Sequence, residues 1–138
     1  MAGLITADSY NHTGIVVKNA EVSAESYYRK LGAGPWKFGE FAGLVKLAHS
    51  KVGEITYELL EPKEGVDSLW AAFLAERGEG LHHISHNVAD VDAATAELVK
   101  DGGKIVVYGG KPVAVPGSMA YIEIGGPGSI ILELLKSN

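Results

Sequence analysis

The chain has 138 residues, a formal charge of -5 and no cysteine. That is the length of one domain, and it leaves no disulfide framework, thiolate metal site or cysteine nucleophile. Mild acidity without a Lys/Arg cluster argues against a nucleic-acid partner, because neutralising phosphates needs a basic face. No apolar run approaches the roughly 20 residues that cross a bilayer, and residues 1–10 lack the basic start and apolar core of a signal peptide. The expected setting is therefore the cytoplasm, and the expected partner a small molecule, not a membrane.

In chain order, the β-branched run at 12–17 reads as a strand that stops at Asn19, a good helix N-cap. The spacing of Val22, Ala24, Tyr27, Tyr28 and Leu31 predicts a helix over 21–31, closed by Gly32. Three apolar stretches follow at 35–41, 44–49 and 54–60, with turns at Ala42-Gly43 and at 51–53. The first half thus reads βαβββ. After a loop at 63–66, Asp67 or Ser68 can cap a helix that runs through Leu69, Trp70, Phe73 and Leu74 to Arg77. Residues 82–88 form another strand, Asp90 stands where Asn19 stood, and a helix over 91–100 is closed by Gly102-Gly103. Strands at 104–108, 119–124 and 129–135, with a Gly/Pro-rich loop at 109–117, complete a second βαβββ pattern.

One offset tests the repeat. Adding 71 carries His12 to His83, Val17 to Val88, Asn19 to Asp90 and Gly32 to Gly103, which favours duplication. Each half opens with a histidine on its first strand and closes with Glu-Leu on its last, at Glu58 and Glu133. Two such units related by a pseudo-two-fold can pair edge to edge, so that His12, Glu58, His83 and Glu133 converge. Two neutral imidazoles and two carboxylates suit one divalent ion, Ni, Co, Mn, Fe or Zn, with positions left for water or substrate.

Strand alternation assigns the neighbouring residues. If His83 points inward, Ser85 and Asn87 follow it, whereas His82, Ile84 and His86 face the other way, so His82 and His86 are expected to pack. His49, read as the end of a strand, is expected to be exposed. Glu61, Glu64 and Asp67 read as a solvated acidic patch, and Trp36, Phe38 and Phe41 as core more readily than as a pocket lining. The loop at 109–117 reads as turns or as a substrate lid.

The strings His12-Thr-Gly-Ile-Val-Val, Tyr57-Glu-Leu-Leu-Glu-Pro62, Gly78-Glu-Gly-Leu-His-His-Ile84 and Ile131-Leu-Glu-Leu134 resemble the vicinal oxygen chelate superfamily, which includes the glyoxalases, bleomycin resistance proteins and extradiol dioxygenases. Within it they most resemble methylmalonyl-CoA epimerase. The resemblance implies an α+β fold of two βαβββ modules, about 10–62 and 81–136, joined by a linker helix at about 67–77. Together they would form an open barrel-like sheet in a single domain over 1–138, with the helices on its convex side. It implies the same metal ligands that the offset selects, His12, Glu58, His83 and Glu133. It implies a 1,2-proton transfer through a metal-stabilised enolate, with Glu133 as acid/base, on a small substrate such as an acyl-CoA. Burial of the sheet face favours a homodimer.

Two departures from the epimerase pattern stand out. Glu58 occupies a place where epimerases tend to carry Gln, and two histidines with two glutamates instead resemble bacterial glyoxalase I. Aligning Gly43-Leu44-Val45 also puts Lys46 where epimerases have their first catalytic carboxylate, with Glu40 and Glu54 as nearby alternatives. Lys46 could serve as an acid/base group only with a depressed pKa, and otherwise as an anchor for a substrate carboxylate. A glyoxalase I type lyase is the alternative enzyme, although Gly125-Gly-Pro-Gly128 stands where such lyases carry Asp-Pro-Asp-Gly. A non-catalytic small-molecule-binding protein of the same fold is the alternative outside enzymology.

Overall fold

The computed structural model describes residues 9–138; residues 1–8, most of the stretch read for a leader, lie outside the described residues. The chain divides into two compact units, His12–His82 and a second comprising His83–Asn138 with the described residues ahead of His12.

The first unit contains β1 (Tyr10–Val16, from His12 onward), α1 (Ala20–Leu31), β2 (Lys37–Phe41), β3 (Val45–Val52), β4 (Ile55–Pro62) and α2 (Leu69–Arg77). Its strands lie in the order β2-β3-β4-β1. β1 runs parallel to β4, and β3 runs antiparallel to both β2 and β4. Asn19 caps α1 as its sequence implies, its Oδ1 accepting from the Val22 amide at 2.9 Å, and Gly32 closes the helix at φ 70. Ser68 caps α2, its Oγ accepting from Ala71 at 3.0 Å.

α1 packs on β3 and β4, where Val17, Ala20, Ala24, Ala48 and Leu59 form a buried cluster flanked by Ile15, Tyr27 and Trp36. Odd positions of β1 and β4 and even positions of β3 therefore face the helix. β2 differs from expectation. It lies at the end of this unit's strand order with every residue exposed, so Phe38 and Phe41 are about half accessible, and only Trp36 joins the core.

The second unit contains the greater part of β5 (Gly80–Val88), then α3 (Val91–Lys100), β6 (Lys104–Ile105), β7 (Val107–Tyr108), β8 (Lys111–Pro112), β9 (Ala114–Val115), β10 (Met119–Glu123) and β11 (Ile131–Lys136). The order β5-β11-β10-β6 reproduces that of the first unit read as β1-β4-β3-β2, and β9 adds to β10. β5 is parallel to β11, and β10 is antiparallel to β11 and β6. The loop expected at 109–117 holds more order than its glycines suggest, because β7 and β8 form a hairpin over Gly109-Gly110, both at positive φ.

Asp90 caps α3 through a 3.0 Å bond from Ala93, the same device as Asn19. α3 packs on β10 and β11 over Val88, Val91, Ala94, Ala120, Ile122 and Leu134. At its exit, a Cβ on Gly103 would lie 2.8 Å from the Leu98 carbonyl oxygen, so the chain turns there only with glycine. Among the described residues no helix is long and apolar enough to cross a membrane.

Two stability predictions follow from this packing. Leu59 and Leu134, both fully buried, occupy equivalent places in the two cores; Leu59→Ala and Leu134→Ala should each cost about 2 to 5 kcal/mol, read by urea denaturation. Burial pushes the His86 imidazole below its ordinary value. Its contribution is present above the unfolded value of about 6.5 and is lost as pH falls through the depressed folded value, since the unfolded chain then binds the extra proton. The stability difference between wild type and His86→Gln, followed from pH 8 to pH 5, should shift against wild type on acidification.

Candidate functional site

Each unit carries a histidine–glutamate pair on the face of its strands that turns away from the helix. In the first, β1 presents His12 and β4 presents Glu58, because Ile15 and Leu59 are committed to α1 and side chains alternate. The parallel register sets Gly14 opposite Glu58, two residues beyond His12. His12 Nε2 lies 3.4 Å from Glu58 Oε1, and both residues are buried. In the second unit the register sets Ser85 opposite Glu133, again two residues beyond the histidine. His83 Nε2 lies 3.5 Å from Glu133 Oε1, with His83 1% exposed.

The antiparallel neighbours complete the correspondence: His49 on β3 faces Glu58, and Tyr121 on β10 faces Glu133. His49 Nε2 lies 2.8 Å from Glu58 Oε2, and its ring stands edge-on to His12 with centroids 6.4 Å apart. The Tyr121 ring is buried against His83, centroids 5.0 Å apart and planes tilted by 34°. Ser85, wholly buried on the same strand face as His83, has an Oγ without a hydrogen-bond partner among the described residues.

The residues singled out in the sequence divide accordingly. His12 meets Glu58 within one unit, and His83 meets Glu133 within the other. Lys46 does not reach Glu58. As an even position of β3 it points to the α1 side, where its ammonium bonds the Glu21 carboxylate. That bond holds the Lys46 pKa above the ordinary lysine value, opposite to the depression that proton transfer would need. The alignment that gave Lys46 the place of the epimerase carboxylate is corrected by strand alternation.

Of the alternatives, Glu40 bonds Lys63 at 2.6 Å on the surface and Glu54 sits exposed in the β3-β4 turn. Glu61 is more than solvated charge: its Oε1 accepts from the Ala20 amide at 2.7 Å, at the start of α1. His82 packs edge-on against Phe73 of α2, centroids 5.0 Å apart, as its strand parity implies. His86 is half-buried, bonded to Ser9 Oγ at 2.9 Å through Nδ1 and set edge-on to Tyr10.

His49 is the residue that sequence reasoning missed. Placing the turn at 51–53 ended its strand too early. The strands continue to the pair Val52 and Ile55, so the turn is Gly53-Glu54, with Gly53 at φ 59. A hairpin centred between 53 and 54 puts residue 49 opposite 58 by counting alone, so the signal was available in the position of that glycine.

Residues 11–121 match the family model described as the glyoxalase/bleomycin resistance protein/dioxygenase superfamily. The structure of methylmalonyl-CoA epimerase from Mycobacterium tuberculosis is 25% identical over 100% of this chain and 92% of that one, with a TM-score of 0.73. A variant of Streptomyces coelicolor methylmalonyl-CoA epimerase, in complex with 2-nitronate-propionyl-CoA, is 27% identical over 96% of this chain and 98% of that one, with a TM-score of 0.72. A methylmalonyl-CoA epimerase bound to methylmalonyl-CoA and ammonium is 26% identical over 98% and 96%, at 0.73. A search of curated protein sequences finds no significant match.

Lys46 yields a direct check. Lys46→Ala should leave both divalent-metal affinity and turnover at saturating substrate near wild type, because an exposed ion pair holding α1 has little energetic reach; calorimetric metal titration and kcat measurement decide it.

Proposed function

Because this chain belongs to the glyoxalase/bleomycin resistance protein/dioxygenase superfamily, we propose that it is a divalent-metal-dependent isomerase of the epimerase type. Its substrate would be an acyl-CoA thioester or a related 2-substituted carbonyl compound. One observation carries the reading: the histidine-to-glutamate register of β1 and β4 recurs in β5 and β11. The solved epimerases with bound acyl-CoA compounds support the choice of substrate class.

In this proposal His12, Glu58, His83 and Glu133 hold one ion. The donor set fits. Two carboxylates offset the charge of a divalent cation, and two imidazoles supply borderline nitrogen donors. Ligand bonds of about 2.0 to 2.2 Å place neighbouring donor atoms on one ion roughly 3 to 3.5 Å apart, and the N···O separations within the two pairs are 3.4 and 3.5 Å. Separations of that length are longer than a good hydrogen bond and suit two ligands better than a donor and its acceptor. Ser85 Oγ, without a partner among the described residues, is a buried polar atom that a bound substrate or water would satisfy.

Such an ion supplies Lewis acidity that withdraws charge from a substrate carbonyl and makes the neighbouring C–H more acidic. The protein's own part is the proton. Glu133 accepts it on a carboxylate oxygen and returns it, with the buried His83 standing 3.5 Å from that carboxylate. Return to the same face exchanges hydrogen without inversion; inversion needs delivery from the opposite face, so exchange tests Glu133 separately from the complete reaction.

Glu58 favours one second reading, a glyoxalase I type lyase in which a glutathione hemithioacetal undergoes the same proton transfer. Purified protein should bind about one divalent ion per chain and lose activity to chelator; a non-catalytic binding protein would be indifferent. With metal present, deuterium from solvent should enter methylmalonyl-CoA at the carbon between its carbonyls, and Glu133→Gln should slow that exchange by roughly 100-fold or more. Metal-loaded protein that exchanges no deuterium into methylmalonyl-CoA but converts the hemithioacetal would replace the epimerase reading with the lyase one.

A further inference from the structure

The two halves repeat their histidine and glutamate but not the residue facing the glutamate from the antiparallel strand. That position is Tyr121 in the second half and His49 in the first. His49 Nε2 and Glu58 Oε2 are 2.8 Å apart, a full hydrogen bond, whereas His12 Nε2 and Glu58 Oε1 are 3.4 Å apart. An ionised carboxylate only accepts, so Nε2 of His49 carries the hydrogen and donates it. A nitrogen that donates has no lone pair free for a metal. His49 is thereby excluded from ligation through that atom and suited to orient the glutamate that does ligate.

We infer that His49 is a positioning residue for Glu58. By donating to Oε2 it fixes the orientation in which Glu58 presents Oε1 towards His12. A charge-assisted bond also removes rotational freedom that an unsupported glutamate would lose on binding an ion. The same bond accounts for a glutamate in this place: its second oxygen accepts from the imidazole while its first faces His12. His49 is still about two-fifths exposed, so the support reaches Glu58 from the open side of the strands rather than from the core. This inference rests on the proposed metal site.

The test is titration of the purified protein with Co(II), followed by the visible absorption of the bound ion and by competition with a chelator. His49→Ala and His49→Phe, the second keeping a ring without a donor, should weaken Co(II) binding by about 10- to 100-fold, the usual effect of losing a partner that orients a ligand. His49→Gln, whose amide nitrogen can donate from a similar reach, should restore most of the affinity and the wild-type spectrum. In a Glu58→Ala background, His49→Ala should cause no further loss, as a double-mutant cycle requires of a residue acting through its partner.

Wild-type affinity in His49→Phe, or an equal loss with and without Glu58, would overturn the inference. Because His49→Gln and His49→Phe both fill the site, the contrast between them holds even if the alanine variant folds poorly. Wild-type protein that takes up no Co(II) would instead overturn the metal site itself, before any variant is compared.

Discussion

The arrangement depends on one constraint, the period of two along a strand combined with the register of two parallel pairs. Each helix claims one face of its unit's strands, through Leu59 on β4 and Leu134 on β11. Residues 58 and 133, one step away, must then face the other side. The parallel register fixes where along that side they meet a histidine, with Gly14 opposite Glu58 and Ser85 opposite Glu133. A one-residue slip of either pair would carry its glutamate into the α1 or α3 core, where an unpaired carboxylate is far more costly than a leucine. The apolar packing therefore specifies the position of the polar pair, although it makes no contact with a ligand.

Much of this was legible before any coordinates. Asn19, Ser68 and Asp90 cap their helices where side-chain chemistry places them, and Gly32 stops α1 in the left-handed conformation that glycine accepts without strain. The offset of 71 picked out His12 and His83 because duplicated strands keep the same inward positions. What was not legible follows from long-range pairing. An alignment of Gly43-Leu44-Val45 carries no parity, so it could not tell that Lys46 falls on the α1 side with Glu21. The hairpin turn at Gly53-Glu54 was misplaced because Lys51 and Val52 look like loop residues by composition, yet they extend an edge-exposed part of the ladder. Likewise β2 reads as an apolar strand, and only its terminal place in the strand order explains why Phe38 and Phe41 stay accessible.

Correcting Lys46 changes the chemistry that can be assigned. A lysine tied to a glutamate on a helix is a stabilised cation, and its raised pKa makes it a worse proton donor and no better as a base. The strand face that carries Glu58 holds a different polar candidate, His49, whose hydrogen bond commits it to the carboxylate. This chain therefore has a glutamate with an imidazole on its second oxygen. His49 bonds Oε2 of Glu58, while Oε1 lies 3.4 Å from His12.

The differences between the halves are as informative as the repeats. Duplication by itself would give like residues at all four corresponding places, yet only the histidine and the glutamate are kept. Gly14 answers to Ser85 and His49 to Tyr121. In the first unit a hydrogen bond orients the carboxylate; in the second a buried aromatic ring packs on the imidazole and restricts its rotation. The first arrangement leaves His49 partly open to solvent, whereas the second encloses His83 with the buried Ser85 on the same strand face. Two copies of one frame have thus acquired separate means of holding equivalent donors. Glu58 and Glu133 are themselves equally buried, so what separates them is the neighbour opposite each: an imidazole that donates to Glu58, and a ring that packs on the histidine paired with Glu133.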